Sequence, residues 1–157
     1  MRRILVKSLN EAFDFVMDHY YPAGCEDAKR KDTYAVISIQ DTHTGGFGVT
    51  FAENKFCKGV LTLYFDDVVK ETKGAVLFDE NMADSVIAFI RSHMDVDTLL
   101  IHCYAGQSRS RAIGAFAKKM MGKSNQTYFS ADKLWAGTPN EHVYNMLEDA
   151  WFRDMLG

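Results

Sequence analysis

Four short apolar segments along the chain have the pattern of buried strands. They read RILVK, TYAVISI, GVLTLYF and TLLIHC, and they are rich in β-branched and aromatic residues. The last segment is almost entirely apolar, which is typical of a central strand in a parallel sheet that is covered on both faces. The pattern therefore predicts strands at all four places, with the strand that ends at Cys103 in the middle of the sheet.

Amphipathic segments that alternate with these strands predict helices. The first helix begins at Ser8, which can form a capping box with Glu11. A second helix follows Asp79, whose side chain suits an N-cap. A third is expected over residues 109–121, because Gly122 is a natural residue to end it.

A final helix is predicted after the sequence TPNE. Here Thr138 is the expected N-cap, Pro139 occupies the first helical position and Glu141 completes the capping box. The alternation of strands and helices predicts an α/β fold, with a central, mostly parallel sheet of four to five strands flanked by helices. We expect one domain over residues 1–157.

Composition and charge narrow the possible partners. Apolar residues make up 47% of the chain and charged residues 25%, which is the balance of a globular protein. Lys and Arg number 18 against 21 Asp and Glu, for a formal charge of −3. Nucleic-acid binders usually carry a basic surplus, so no nucleic-acid partner is expected. Any anion-binding site must instead rely on a local positive field.

The N-terminal stretch lacks the apolar segment and cleavage site of a signal peptide, and no apolar run has membrane-spanning length. We therefore expect a cytoplasmic protein that does not engage membranes, and we expect it to be a monomer.

Its cysteines, Cys25, Cys57 and Cys103, are odd in number and widely spaced, so they predict free thiols rather than a disulfide framework. No cysteine or histidine cluster indicates a structural metal site, and no cofactor is expected.

The polar stretch HCYAGQSRS joins the predicted central strand to the N-terminus of a helix. Ligands of open parallel sheets bind at such strand ends, where loop amides and the helix dipole favour an anion. Gly106 permits a tight turn, and the Arg109 guanidinium offers paired donors for two phosphate oxygens. This loop is therefore predicted to bind a tetrahedral dianion.

The same positive field would stabilise a thiolate, so Cys103 is expected to be ionised at neutral pH and to attack phosphorus in line. His102 points to the opposite side of the strand and is expected to support the loop backbone. The Ser110 hydroxyl can reach the sulfur, where it would stabilise sulfur as the leaving group when water cleaves a phosphocysteine intermediate.

This stretch resembles the H-C-x-x-G-x-x-R-[ST] signature of the cysteine-dependent protein tyrosine phosphatases. It is closest to the compact dual-specificity type and to small bacterial or phage tyrosine phosphatases. The tighter form HCxAGxSRS is matched at His102, Cys103, Ala105, Gly106, Ser108, Arg109 and Ser110. The resemblance implies a parallel sheet flanked by helices and metal-free hydrolysis of phosphomonoesters. It also implies that residues 104–109 surround the phosphate, which adds Tyr104 and Gln107 to the candidate substrate-binding residues.

The resemblance further implies a general acid, an aspartate on a loop before the cysteine that protonates the leaving oxygen. Asp66 and Asp67 follow the strand GVLTLYF and should emerge at the same sheet edge as Cys103. Asp67 is favoured, since compact relatives tend to have an aspartate in that position, but Asp66 remains an alternative.

Residues 104–108 contain no lysine or arginine, which argues against a polyphosphorylated inositol substrate and favours a single phosphomonoester. The predicted activity is hydrolysis of phosphotyrosine, with phosphoserine and phosphothreonine as further protein substrates. The alternatives are a phosphate-binding pseudophosphatase with little turnover, a phosphatase of nucleotide or RNA phosphates, and an arsenate reductase or sulfur carrier.

Overall fold

A parallel four-stranded sheet forms the centre of the computed structural model, within the described residues 1–22, 30–43, 46–48, 50–130 and 137–157. The strands are β1 (Arg3–Lys7), β2 (Tyr34–Gln40), β3 (Cys57–Tyr64) and β4 (Thr98–His102). They are arranged in the order β1-β4-β2-β3, and every neighbouring pair is parallel. The predicted α/β fold is confirmed, with four strands in the described residues where four to five were expected, and β4 is an inner strand.

Helices cover both faces of the sheet. They are α1 (Leu9–Tyr20), α2 (Glu80–Ser92), α3 (Arg109–Met120), the short α4 (Gln126–Phe129) and α5 (Glu141–Leu156). Helix α1 packs in one apolar cluster, and α2, α3 and α5 pack in the other. None of the described helices has the length and apolar character that crossing a membrane would require.

Strand β4 shows why an apolar segment occupies the middle of the sheet. All five of its residues are buried. Leu99 and Ile101 join the cluster that contains α2, α3 and α5, whereas Leu100 joins the cluster that contains α1. Because successive side chains of a strand point to opposite faces, a strand covered on both sides has no solvent-facing position.

Local capping interactions determine where two of the helices begin. The Ser8 hydroxyl accepts a hydrogen bond from the Glu11 amide, and the Glu11 carboxylate accepts one from the Ser8 amide, so the predicted capping box is present. The Asp79 carboxylate accepts a hydrogen bond from the Met82 amide at 2.8 Å, which confirms this N-cap.

The predicted start of α5 is wrong by two residues. Its N-cap is Asn140 rather than Thr138, and Pro139 precedes the helix instead of occupying its first position. The Asn140 side-chain oxygen accepts a hydrogen bond from the Val143 amide at 3.1 Å. Both Thr and Asn are good N-caps, so the local sequence does not distinguish them. Hydrogen bonds from Asn140 to Asp67 and Val68, which lie far away in the chain, favour Asn140 over Thr138 as the N-cap.

Cys57 and Cys103 are both buried free thiols. Cys57 is the first residue of β3 and Cys103 follows the last residue of β4. Because the strands are parallel, the two thiols lie at opposite ends of the strands. Cys25, the third cysteine, lies outside the described residues.

Candidate active site

We call residues 102–110, which connect β4 to α3, the signature loop. The α1 amide of Leu9 donates a hydrogen bond to the Tyr104 carbonyl at 3.1 Å. Gly106 has a φ of +71°, and a Cβ there would lie 2.6 Å from the backbone carbon of Lys7. The loop therefore packs directly on the β1–α1 junction, and this close approach in a left-handed conformation requires glycine.

The signature loop also contacts the segment that precedes α5. A Cβ at Gly137 would lie 2.1 Å from the Gln107 carbonyl oxygen, so these two backbones touch. The Asn140 amide donates a hydrogen bond to the Ser108 carbonyl at 3.1 Å. Contacts with two separate parts of the fold, the β1–α1 junction and the segment before α5, therefore hold the loop.

The Cys103 sulfur is held inside this loop. The side chain is only 2% exposed. Its Sγ accepts a hydrogen bond from the Gly106 amide at 3.2 Å, and the Ser110 hydroxyl lies 3.0 Å away. Ser110 is buried on the first turn of α3. An amide and a hydroxyl at these distances both stabilise negative charge on sulfur.

Arg109 joins the signature loop to the segment after β3. One of its guanidinium nitrogens donates a hydrogen bond to the Phe65 carbonyl at 2.8 Å. Phe65 is buried and immediately precedes the two candidate acids, Asp66 and Asp67. The anchored guanidinium retains further N–H donors for an anion, because arginine has five of them.

The two adjacent aspartates face different surroundings. Asp67 is exposed, and its Oδ1 accepts a hydrogen bond from the Ser108 hydroxyl of the signature loop at 2.7 Å. Asp66 is buried, and its two carboxylate oxygens share the single hydroxyl donor of Thr42, whose oxygen lies 2.7 and 2.8 Å from them. The Val76 amide donates a second hydrogen bond, to Asp66 Oδ2, at 2.6 Å.

The protonation of Asp66 follows from these contacts. Burial is the largest single influence and acts to raise the pKa of Asp66. The hydrogen bonds from Thr42 and Val76, together with the charges of His43 and Arg109, outweigh burial and hold the pKa below its usual range. A carboxyl with a lowered pKa is protonated less often near neutral pH, which does not favour a general-acid role for Asp66.

His102 is fully buried beneath the signature loop. Burial is the largest influence on His102 and lowers its pKa; the hydrogen bond with the Cys103 backbone raises the pKa and the charge of Arg109 lowers it, and the net direction is downward, so the ring is neutral near pH 7. Nδ1 lies 3.3 Å from the Cys103 carbonyl, and Nε2 lies 2.6 Å from the Ser38 hydroxyl. Because a carbonyl only accepts, Nδ1 carries the proton and Nε2 accepts from Ser38. The ring thus holds the backbone of the loop.

A chain of hydrogen bonds continues from His102 to the wall of a neighbouring cleft. The Gln40 amide donates to the Ser38 hydroxyl at 2.8 Å, and its oxygen accepts from the Phe47 amide at 2.9 Å. The Phe47 ring lies 5.6 Å from the ring of Tyr104. This cleft has a volume of about 600 Å³ and is lined by Leu9, Asp41, Gly46, Phe47, Tyr104 and Arg109.

The predicted site residues are brought together to different extents. Cys103, Ser110 and Arg109 converge at the signature loop, and Asp67 reaches the loop through Ser108. By contrast, the side chains of Ala105 and Gln107 are exposed, and Asp66 is turned toward Thr42.

Three residues near the cleft have side chains suited to a cation. Within the described part of the chain, Asp41, His43 and Asp66 each offer one ligand atom, and these atoms lie within 4.8 Å of one another. The Asp66 oxygens already accept hydrogen bonds from Thr42 and Val76, which a metal ion would have to displace. Hydrolysis without a metal is a prediction from the sequence.

Asn140 and Thr42 are not among the site residues predicted from the sequence, where Asn140 is explained as part of a helix start. Asn140 contacts Asp67 across 73 positions of sequence, and Thr42 contacts Asp66 across 24. Asn140 lies within a recognisable helix start, but nothing local indicates that its amide faces an acidic residue far away in the chain.

Solved structures with a similar fold span almost the whole chain. One is human tyrosine phosphatase-like serine/threonine/tyrosine-interacting protein, with a TM-score of 0.58, 14% identity and coverage of 100% of both chains. PTPMT1 in complex with PI(5)P has a TM-score of 0.55 at 14% identity, covering 99% of this chain and 96% of that one. Tk-PTP in the active form has a TM-score of 0.53 at 15% identity, covering 98% and 93%. No protein-family model and no curated protein sequence matches the chain.

These neighbours establish the class of fold, which is that of the cysteine-dependent protein tyrosine phosphatases. Within that class, the similar structures are those of tyrosine and dual-specificity phosphatases and a phosphatase-like protein. The fold that the resemblance of the signature loop implied is therefore confirmed.

Proposed function

We propose that this protein is a phosphatase that hydrolyses phosphotyrosine in proteins, and to a lesser degree phosphoserine and phosphothreonine. Cys103 is the nucleophile, Arg109 binds the phosphate and Asp67 is the general acid. The observation that carries the proposal is the position of the Cys103 sulfur. It lies within hydrogen-bonding distance of the Gly106 amide and the Ser110 hydroxyl, at the N-terminus of α3.

In the first step, the Cys103 thiolate attacks phosphorus and the bond from phosphorus to the phenolic oxygen breaks. Asp67 gives its proton to that oxygen, so that tyrosine leaves as a neutral phenol and Asp67 becomes a carboxylate. The hydrogen bond between Asp67 and Ser108 supports this role, because Ser108 belongs to the loop that surrounds the nucleophile.

In the second step, water attacks the phosphorus of phosphocysteine and the phosphorus–sulfur bond breaks. The Asp67 carboxylate takes one proton from the water, which regenerates the acid, and inorganic phosphate leaves. Sulfur departs as a thiolate next to the Ser110 hydroxyl, which donates a hydrogen bond to the developing charge.

The direct test is hydrolysis of para-nitrophenyl phosphate and of phosphotyrosine peptides by the wild-type protein with EDTA present. We expect turnover that does not depend on metal, because a sulfur nucleophile and an arginine supply the chemistry. Phosphopeptide binding without turnover would favour a phosphate-binding module instead. Turnover that requires a divalent metal would contradict the proposed mechanism.

The cleft beside the signature loop supports a preference for phosphotyrosine. Tyr104 is 66% exposed, and its ring and that of Phe47 line the cleft together with Leu9. Arg109 reaches the same space, so a phosphate bound at the loop would place an attached aryl ring between apolar walls. An alkyl phosphate would bury much less surface there.

Replacing Tyr104 with alanine should raise the KM for a phosphotyrosine peptide about twofold to tenfold, which is the value of one aromatic contact. The KM for the matching phosphoserine peptide should change little. Tyr104→Phe is the control, since it keeps the ring and removes only the hydroxyl. Equal changes for both peptides would show that the aromatic wall does not select the substrate.

A cytoplasmic location and a monomeric state remain predictions from the sequence, as does the absence of a cofactor. The expected partner is a phosphorylated protein or peptide.

A further inference from the structure

We infer that Asn140 is a positioning residue that orients the acid proton of Asp67 toward the leaving group. This inference rests on the proposed function, because it assigns a partner to the proposed general acid. Asn140 is only 3% exposed, and its backbone amide is bonded to the Ser108 carbonyl.

Every hydrogen-bonding group of the Asn140 side chain has a partner. Its oxygen accepts from the Val143 amide at 3.1 Å and so caps α5. Its NH₂ group donates to the Asp67 Oδ1 at 2.8 Å and to the Val68 carbonyl at 3.1 Å. The orientation of the amide is unambiguous, since a backbone N–H requires an acceptor and a backbone carbonyl requires a donor.

Both hydrogen bonds to Asp67 end on the same carboxyl oxygen. The Asn140 NH₂ group and the Ser108 hydroxyl donate to Oδ1, whereas Oδ2 makes no hydrogen bond with any described residue. In a neutral carboxylic acid, one oxygen accepts and the other carries the proton. Two donors at Oδ1 therefore leave the proton on Oδ2, which is then the oxygen that can donate it to the leaving group.

A capping role alone does not explain why asparagine occupies this position. Ser and Asp cap a helix about as well as Asn, but neither offers an NH₂ group to an aspartate and a carbonyl at once. The same amide connects α5 with the Asp67–Val68 segment, and the Asn140 backbone connects it with the signature loop. Asn140 thus holds the acid and the nucleophile's loop in one fixed arrangement.

The test uses Asn140→Ser, which keeps a capping oxygen and removes the NH₂ group. We expect kcat for a phosphotyrosine peptide to fall about threefold to tenfold, the value of one hydrogen bond, with KM nearly unchanged. Hydrolysis of a dinitrophenyl phosphate should hardly change, because that phenolate leaves without a proton. Asp79→Ser, the same type of cap exchange at α2, is the matched control and should leave both rates unchanged.

A double-mutant cycle separates positioning from general structural damage. In an Asp67→Asn background, Asn140→Ser should cause no further loss of kcat, because the proton that it orients is absent. Equal losses on both substrates, or full additivity with Asp67→Asn, would overturn the inference. An unchanged kcat in Asn140→Ser would also overturn it. The proposed function is tested separately, by the turnover and metal independence of the wild-type protein, so a failure of the inference about Asn140 can be told apart from a failure of the proposed function.

Discussion

Replacing Cys103 with serine is expected to lower kcat on para-nitrophenyl phosphate by about 10⁴–10⁶-fold, the scale of loss when a nucleophile is removed. A serine hydroxyl needs a base to become an effective nucleophile. Among the described residues, the hydrogen-bonding neighbours of the Cys103 side chain are the Gly106 amide and the Ser110 hydroxyl, and neither is a general base. The smaller, neutral hydroxyl would therefore remain inert at this position.

Binding should survive the same substitution. Arg109 and the backbone of the signature loop are untouched in Cys103→Ser, so the affinity for a phosphotyrosine peptide should stay close to that of the wild-type protein. Calorimetric titration of the peptide measures this affinity without turnover. During turnover by the wild-type protein, rapid acid quenching and mass spectrometry should find one phosphoryl group on the peptide that contains Cys103.

Cys57→Ala is the control for loss of a thiol. Cys57 is buried at the start of β3, and its Sγ lies 3.5 Å from the Gly59 carbonyl. Its removal should change the thermal midpoint slightly and leave kcat unchanged. If Cys103→Ser kept substantial activity while Cys57→Ala lost it, the assignment of the nucleophile would be wrong.

Replacing Asp67 with asparagine is expected to slow the hydrolysis of a phosphotyrosine peptide by about 10²–10⁴-fold, the usual contribution of a general acid. Asparagine has nearly the same shape and can still accept hydrogen bonds from Ser108 and Asn140, but it has no proton to give. A dinitrophenyl phosphate should lose far less rate, since its phenolate is a good leaving group. The ratio of kcat values for the two substrates is the measurement. Equal losses on both would rule out the acid role.

Asp66→Asn provides the matched comparison at the adjacent position. The Asp66 carboxylate holds Thr42 and the Val76 amide, so its loss should lower the free energy of unfolding by about 1–3 kcal/mol. Any loss of rate should be similar for both substrates, because the change disturbs the arrangement of loops rather than proton transfer. A strong leaving-group dependence in Asp66→Asn, but not in Asp67→Asn, would reverse the two assignments.

The elements of this fold could be predicted from the sequence because their determinants are local. The burial of β4 follows from its uninterrupted apolar residues, and the starts of α1 and α2 follow from Ser8 with Glu11 and from Asp79. In each case the residues that decide the structure lie within a few positions of one another. The start of α5 could not be predicted in this way, since Asn140 is held by Asp67 and Val68.

Some features of the candidate site could likewise be predicted from the local sequence, and others could not. The sequence alone determined that a cysteine and an arginine share one short loop between a strand and a helix, because nine consecutive residues contain them both. Only the tertiary structure separated Asp66 from Asp67, since their partners lie 24, 41 and 73 positions away in the chain. Because Asp66 and Asp67 are adjacent and chemically identical, they differ only in the distant groups that they contact. Those contacts form only when the chain folds.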